Sequence, residues 1–158
     1  MMSAVIDSHH DDHHHGPAKG ISRWLYTTNH KDIGSMYLWF SLIMLFIGGA
    51  MAMVIRAELF EPGSQIVSPE FYNQMVTNHG LIMVFGVIMP AFVGFANWMI
   101  PMQIGAPDMA LPRLNNLSFW ILPVAFGILL STFFMEGGAP NFGWTFYAPL
   151  STEYAPPT

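Results

Sequence analysis

The 158-residue sequence has no cysteine, and only 9% of its residues carry a charge. The first absence excludes a disulfide framework, a thiolate metal site and a cysteine nucleophile, and it leaves the redox compartment open. The second is more telling, since ordinary globular domains carry roughly 25% charged residues. Basic residues are scarce as well: five Lys and Arg in no cluster, against ten Asp and Glu, for a net charge of −5. That balance offers nucleic acid no electrostatic footprint, and none is expected as a partner. No cleavable signal pattern is present, because the first apolar run begins after residue 32, behind a tail rich in His and Asp.

What the sequence does have is apolar length. Hydrophobic residues make up 53% and aromatics 15%, while much of the polar material sits in the first 32 residues. Ile33 to Ile55 is 23 residues without a charge, bounded by Asp32 and Arg56. As a helix it would cover about 34 Å, enough for a bilayer core of about 30 Å. A second uncharged stretch, Phe71 to Pro107, is too long for one straight span. The expected helix there is 75–102, kinked around Pro90. The third stretch runs from Leu114 to Met135 and contains Pro123. Interior prolines are tolerated in membrane helices, and Gly48, Gly49, Gly86 and Gly94 would let such helices approach closely. Three buried helices of a large soluble protein are the alternative. Three successive stretches of bilayer length are hard to bury that way, so the expected class is an all-α membrane protein with spans near 33–55, 75–102 and 114–135.

Lys19, Arg23 and Lys31 precede the first span and Arg113 separates the second from the third, whereas Arg56 alone lies on the other side. The excess places the N-terminus and the second loop in the cytoplasm, or in the matrix if the membrane is mitochondrial. The bacterial cytoplasmic membrane is the favoured location. Residues 56–70 carry Glu-Pro-Gly and Ser-Pro turn chemistry. Residues 137–158, rich in Gly, Pro and aromatics, suit a cap lying against other protein at the membrane surface.

Seven histidines occur, five of them between His9 and His15. That tract could chelate a transition metal, but it reads more simply as a solvated, disordered tail over residues 1–20, ahead of one unit from 21 to 158. His79 lies inside the second span, where an ionisable residue is costly and usually marks function. A neutral imidazole can ligate haem iron through one nitrogen while the other N–H meets an acceptor. A bond to a neighbouring helix is the simpler role, and the two remain open on spacing alone. Met75, Met83 and Met89 could in principle ligate iron, but thirteen methionines in an apolar chain are mostly packing material. Asp108 lies between two spans. With Asn97, Asn115, Asn116 and Ser118 nearby in sequence it could begin a hydrated proton path, since amides and hydroxyls order water without trapping a charge. It could equally cap the third helix or pair with Arg113.

Several motifs carry a resemblance. Tyr-Thr-Thr-Asn-His-Lys-Asp-Ile-Gly (26–34), Thr-Asn-His-Gly (77–80), Asn-Trp-Met-Ile-Pro (97–101), the run from Ile104 to Trp120, and Gly-Trp-Thr-Phe-Tyr-Ala-Pro-Leu-Ser (143–151) stand in one colinear order. From about residue 21 onward the chain resembles subunit I of the haem-copper terminal oxidases, the family of cytochrome c oxidase. The resemblance implies a bundle of about twelve membrane helices, of which these are the first three. It implies that His79 is an axial ligand of a low-spin haem a and that Arg56 bonds the haem formyl group, a contact that would raise its potential. It also implies that Asp108 is the mouth of the D proton pathway, with Tyr37, Asn97, Asn115 and Ser118 along it, and that Trp144 meets a propionate of the high-spin haem. Glu58, Glu61, Gly63 and Gln65 match a calcium or sodium site of some members. One departure is Asn78, where the family commonly has methionine.

The function implied is proton-pumping oxygen reduction with cytochrome c as donor, in a complex with the rest of subunit I, subunits II and III and membrane lipid. The high-spin haem, the copper and their ligands lie beyond this chain, which is expected to be inactive alone. Two alternatives are a quinol oxidase of the same superfamily and a non-catalytic membrane scaffold.

Overall fold

The computed structural model describes residues 20–154, so the His-rich tail and its expected disorder fall outside it, Gly20 excepted. Within that range the regular elements are helical, and three rods are long and apolar enough to cross a membrane. A short helix, α1 (Ile21–Tyr26), leads into the first rod, α2 (His30–Glu58). The second rod is composite: α3 (Pro69–Leu81), a π-helical segment (Ile82–Ile88) and α4 (Met89–Ile104). The third is α5 (Pro112–Ser131), ending in a 3-10 turn, Thr132–Phe134.

The first two rods begin before their apolar runs because their starts are set by polar caps, to which hydropathy is blind. Asn29 accepts from the Lys31 N–H at 2.8 Å and starts α2. Ser68 accepts from the Phe71 N–H at 3.3 Å, and Pro69 at the first helical position needs no acceptor. Gly105, in the left-handed region at φ 70°, closes α4.

The second rod does not simply kink at Pro90. The chain widens into π geometry over the seven residues just before Met89–Pro90. Proline lacks an N–H and its ring presses on the carbonyl four residues back, here Gly86; a wider turn relieves that pressure. The hydroxyl of Ser41 on α2 donates to the Val87 carbonyl at 2.9 Å and ties the two rods together at the π segment.

α2 is the central rod, touching α3, the π segment, α4 and α5. Its buried face, including Ile33, Met36, Tyr37, Phe40 and Met44, meets Ile82, Phe119 and Phe126. The rings of Phe40 and Phe126 stand edge to face at 5.6 Å, and those of Tyr37 and Phe119 at 5.2 Å. α2 and α4 cross where both lack a side chain. A Cβ on Gly34 would lie 2.9 Å from the Gly94 carbonyl oxygen, and one on Gly94 3.0 Å from that of Gly34. Gly48 and Gly86 sit at similarly tight contacts, with Met83 and Phe126 respectively. Gly49 does not: it faces open space, because a helix turns its neighbour at Gly48 inward and carries Gly49 about 100° round. The close-packing glycine missing from the sequence reading is Gly34. Large apolar side chains such as Phe46, Phe92 and Ile128 stay exposed on the outer faces, as lipid or further protein would require.

Candidate functional site

The up-and-down order gathers the polar residues at two ends. At one lie the starts of α2 and α5 and the end of α4; at the other lie the end of α2, the start of α3 and the segment after α5.

His79 belongs to the second end, about 15 Å along α3 from its first residue. It is half-buried, and its Nδ1 lies 2.9 Å from the Gly48 carbonyl oxygen on α2. A carbonyl only accepts, so Nδ1 carries the hydrogen and the lone pair of the neutral ring is on Nε2. Gly48 makes this possible by letting α2 and the second rod approach. A Cβ there would meet Met83 Sδ at 2.9 Å and Ile82 Cγ2 at 3.1 Å. Trp144 is brought to the same turn, since a Cβ on Gly80 would sit 3.5 Å from both Cβ and Cδ1 of Trp144. The segment carrying Trp144 therefore folds back on α3 of its own chain, rather than lying only against other protein. Arg56, eight residues beyond Gly48 on α2, is exposed and has no hydrogen bond or ion pair among the described residues.

Glu58 is buried, at 5% exposure. Its carboxylate accepts from three successive backbone N–H groups, Gln65 and Ile66 at 2.8 Å and Val67 at 3.0 Å. The side chain of Gln65 is turned to the Pro62 carbonyl, 3.1 Å away. This donor set holds the loop from α2 to α3 closed around a carboxylate. Oε1 takes one of these bonds and Oε2 two, so Oε1 keeps a lone pair on the side of the loop that carries Glu61, Gly63 and Gln65.

At the first end Asp108 neither pairs with Arg113 nor caps α5. Its Oδ1 accepts from its neighbour's N–H, that of Met109, at 2.7 Å, and reaches across to His30, the first residue of α2. The His30 backbone N–H lies 3.3 Å away and its ring Nδ1 3.2 Å. A carboxylate at the N-terminus of a long helix is favoured by the unpaired N–H groups there. His30 is buried at 6% exposure, and its Nε2 has no partner among the described residues. Nearby, Arg23 grips Asp32 through two bonds of 2.8 and 3.1 Å. Hydrogen bonding to that carboxylate, then its charge, raises the guanidinium pKa above its ordinary value. Thr27 donates to Asp32 at 3.2 Å, and its carbonyl accepts from Asn116 at 2.7 Å, joining α1, α2 and α5.

Four of the sequence-selected residues form one chain of bonds. The Tyr37 hydroxyl lies 2.8 Å from Ser118 Oγ, which also donates to the Asn115 carbonyl at 2.7 Å. The Asn115 amide donates to Asn97 Oδ1 at 2.6 Å, and the Asn97 amide donates to the Val93 carbonyl at 2.9 Å. Asp108 shares no direct hydrogen bond with this chain among the described residues. His30 and Thr27 were not selected from the sequence. Both stand in the 26–34 motif, but no local signal pairs a histidine with a carboxylate 78 positions later.

A family model described as "Cytochrome C and Quinol oxidase polypeptide I" matches residues 32–158. Cytochrome c oxidase subunit 1 of Corynebacterium diphtheriae is 47% identical over 144 residues, covering 90% of this chain and 26% of that protein. The same subunit of Corynebacterium glutamicum is 50% identical over 135 residues, covering 84% and 23%. The heme-copper oxidase subunit I+III of Aeropyrum pernix is 46% identical over 137 residues, covering 87% and 17%. The chain spans about a quarter or less of the length of these curated relatives.

Proposed function

The chain belongs to the cytochrome c and quinol oxidase polypeptide I family, and from that premise we propose that it is the part of an oxidase subunit I that holds low-spin haem through His79 and takes up protons near Asp108. The observation that carries the first half is the hydrogen bond from His79 Nδ1 to Gly48. It fixes the tautomer and turns the Nε2 lone pair into the only one available for a metal. Haem iron bound there would supply a one-electron carrier. The chain's own part is to orient the imidazole, to offer Arg56 as an unpaired cation at the end of α2, and to set Trp144 beside Gly80. A calcium or sodium ion held by Glu58, Gln65 and backbone carbonyls near Glu61 and Gly63 is part of the proposal.

For the second half, Asp108 is a partly exposed carboxylate, with 37% of its side chain open, at the end of the bundle where Tyr37, Ser118, Asn115 and Asn97 are already linked. Protons collected there would pass inward over ordered water and these neutral groups, which relay without retaining charge. This end faces the cytoplasm in our reading, because the basic residues are concentrated there. Oxygen reduction at a haem-copper centre would fall to the remainder of subunit I, with subunits II and III and membrane lipid around it. Cytochrome c is the proposed donor, since the relatives named above are mostly cytochrome c oxidases.

The test is the visible and EPR spectrum of the assembled oxidase with His79→Ala. We expect the six-coordinate low-spin haem signal to disappear, because neighbouring Asn78 is a poor iron ligand. An unchanged low-spin spectrum would show that another residue ligates the haem.

A further inference from the structure

α3 carries three polar side chains that its surroundings bury: Gln74, Thr77 and Asn78, at 7%, 1% and 0% exposure. Their spacing, i, i+3 and i+4, puts them on one face. Such a stripe costs free energy in an apolar setting unless partners meet it. The partners are not another helix but the irregular backbone that follows α5. The Thr77 hydroxyl donates to the Asn73 carbonyl at 2.8 Å, which leaves its oxygen to accept from the Gly143 N–H at 3.0 Å. The Asn78 amide donates to the Gln74 carbonyl at 2.8 Å and to the Pro140 carbonyl at 3.4 Å. Gln74 packs so closely on Gly138 that a Cβ there would lie 2.5 Å from Nε2. Gly137 and Gly138, at φ 88° and 74°, make the left-handed turn that brings the segment back. Its grip ends one residue before Trp144, whose side chain rests on Gly80.

We propose that Thr77 and Asn78 are positioning residues of the haem site, a polar clasp that holds residues 138–144 against the turn carrying His79. The clasp ties Trp144 to the haem-ligand helix, against Gly80, the residue that follows His79. This inference rests on reading His79 as a haem ligand. A freed Trp144 segment would admit water beside Gly80, next to the ligand, and water favours the more highly charged oxidised iron, so a loosened clasp lowers the haem potential. Asn78, the position at which the chain departs from the family's usual methionine, is then the member that reaches the Pro140 carbonyl.

The experiment uses the assembled oxidase carrying Thr77→Val, which keeps shape and loses the acceptor, and Thr77→Ser, which keeps the acceptor. Asn78→Leu is the second variant: it removes the amide that donates to the Gln74 and Pro140 carbonyls, while Oδ1 has no partner to lose. Two quantities are read: amide exchange in the peptide containing Gly143, and the midpoint potential of the low-spin haem. Loss of one hydrogen bond predicts exchange about tenfold faster in Thr77→Val, with a lower potential and wild-type values in Thr77→Ser. Asn78→Leu should move both quantities the same way. Unchanged exchange in Thr77→Val overturns the clasp, and faster exchange at an unaltered potential overturns its role at the haem. A wild-type complex without low-spin haem would instead remove the reading of His79, which the exchange measurement does not depend on.

Discussion

Where α2 begins, side chains bind one another across long stretches of sequence: Asp108 to His30, Asn115 to Asn97 and Tyr37 to Ser118. At the opposite end the side chains mostly bind backbone. His79 meets the Gly48 carbonyl, Glu58 takes three N–H groups of a loop, and Thr77 and Asn78 hold the segment after α5. The difference matches the two tasks proposed for these ends. A proton path needs exchangeable side chains in a row, whereas a metal ligand needs a fixed imidazole and a closed lid of irregular backbone, whose own polar groups must be met.

The comparison fails if the two ends are not independent, and the strongest perturbation should disturb both. Gly94→Leu puts a side chain where α2 and α4 touch, 3.0 Å from the Gly34 carbonyl. Overpacking of this kind costs about 1–3 kcal/mol or more. We expect a sharp drop in recovered haem-containing complex, measured by absorbance, while Gly49→Ala, facing open space, stays at wild-type yield. A smaller change should be confined to the His79 end. Glu58→Ala strands three N–H groups, at about 1–3 kcal/mol for each one that water cannot reach. Protease nicking between residues 59 and 67 should rise, with proton uptake kinetics unaffected. Confined to the other end, Tyr37→Phe removes a single hydrogen bond worth about 1 kcal/mol. It should slow turnover by less than Asp108→Asn does and leave the haem spectrum alone. The smallest effect is expected for Ser41→Ala. It removes one hydrogen bond to the π segment, worth about 0.5–1.5 kcal/mol, read as a modest fall in thermal stability with both functions kept.

The three spans were legible because 23 uncharged residues in a row leave few alternatives. Their ends were not, because Asn29 and Ser68 act through hydrogen bonds that no hydropathy pattern records. His79 stood out as an intramembrane histidine, but its tautomer depends on a carbonyl 31 residues earlier, visible only once Gly48 is seen to lie against the second rod. Asp108 illustrates the limit best. The helix it caps was sought next to it in sequence, whereas its partner begins the first rod. The stripe of Gln74, Thr77 and Asn78 was readable in principle, as polar residues at helical spacing. Its partners were not, since they are backbone atoms of a segment with no periodicity.

The central claim is that the two ends perform separable tasks, and Asp108→Asn tests it most directly. Asn keeps the size and the oxygen that can accept from Met109 and His30 but cannot ionise, and it caps a helix as well as Asp does. Reconstituted in vesicles, the variant should show fully reducible low-spin haem together with severely reduced oxygen consumption and no proton ejection. Near-normal pumping would return Asp108 to the role of a helix cap, and loss of the low-spin haem would show that the two ends do not act separately.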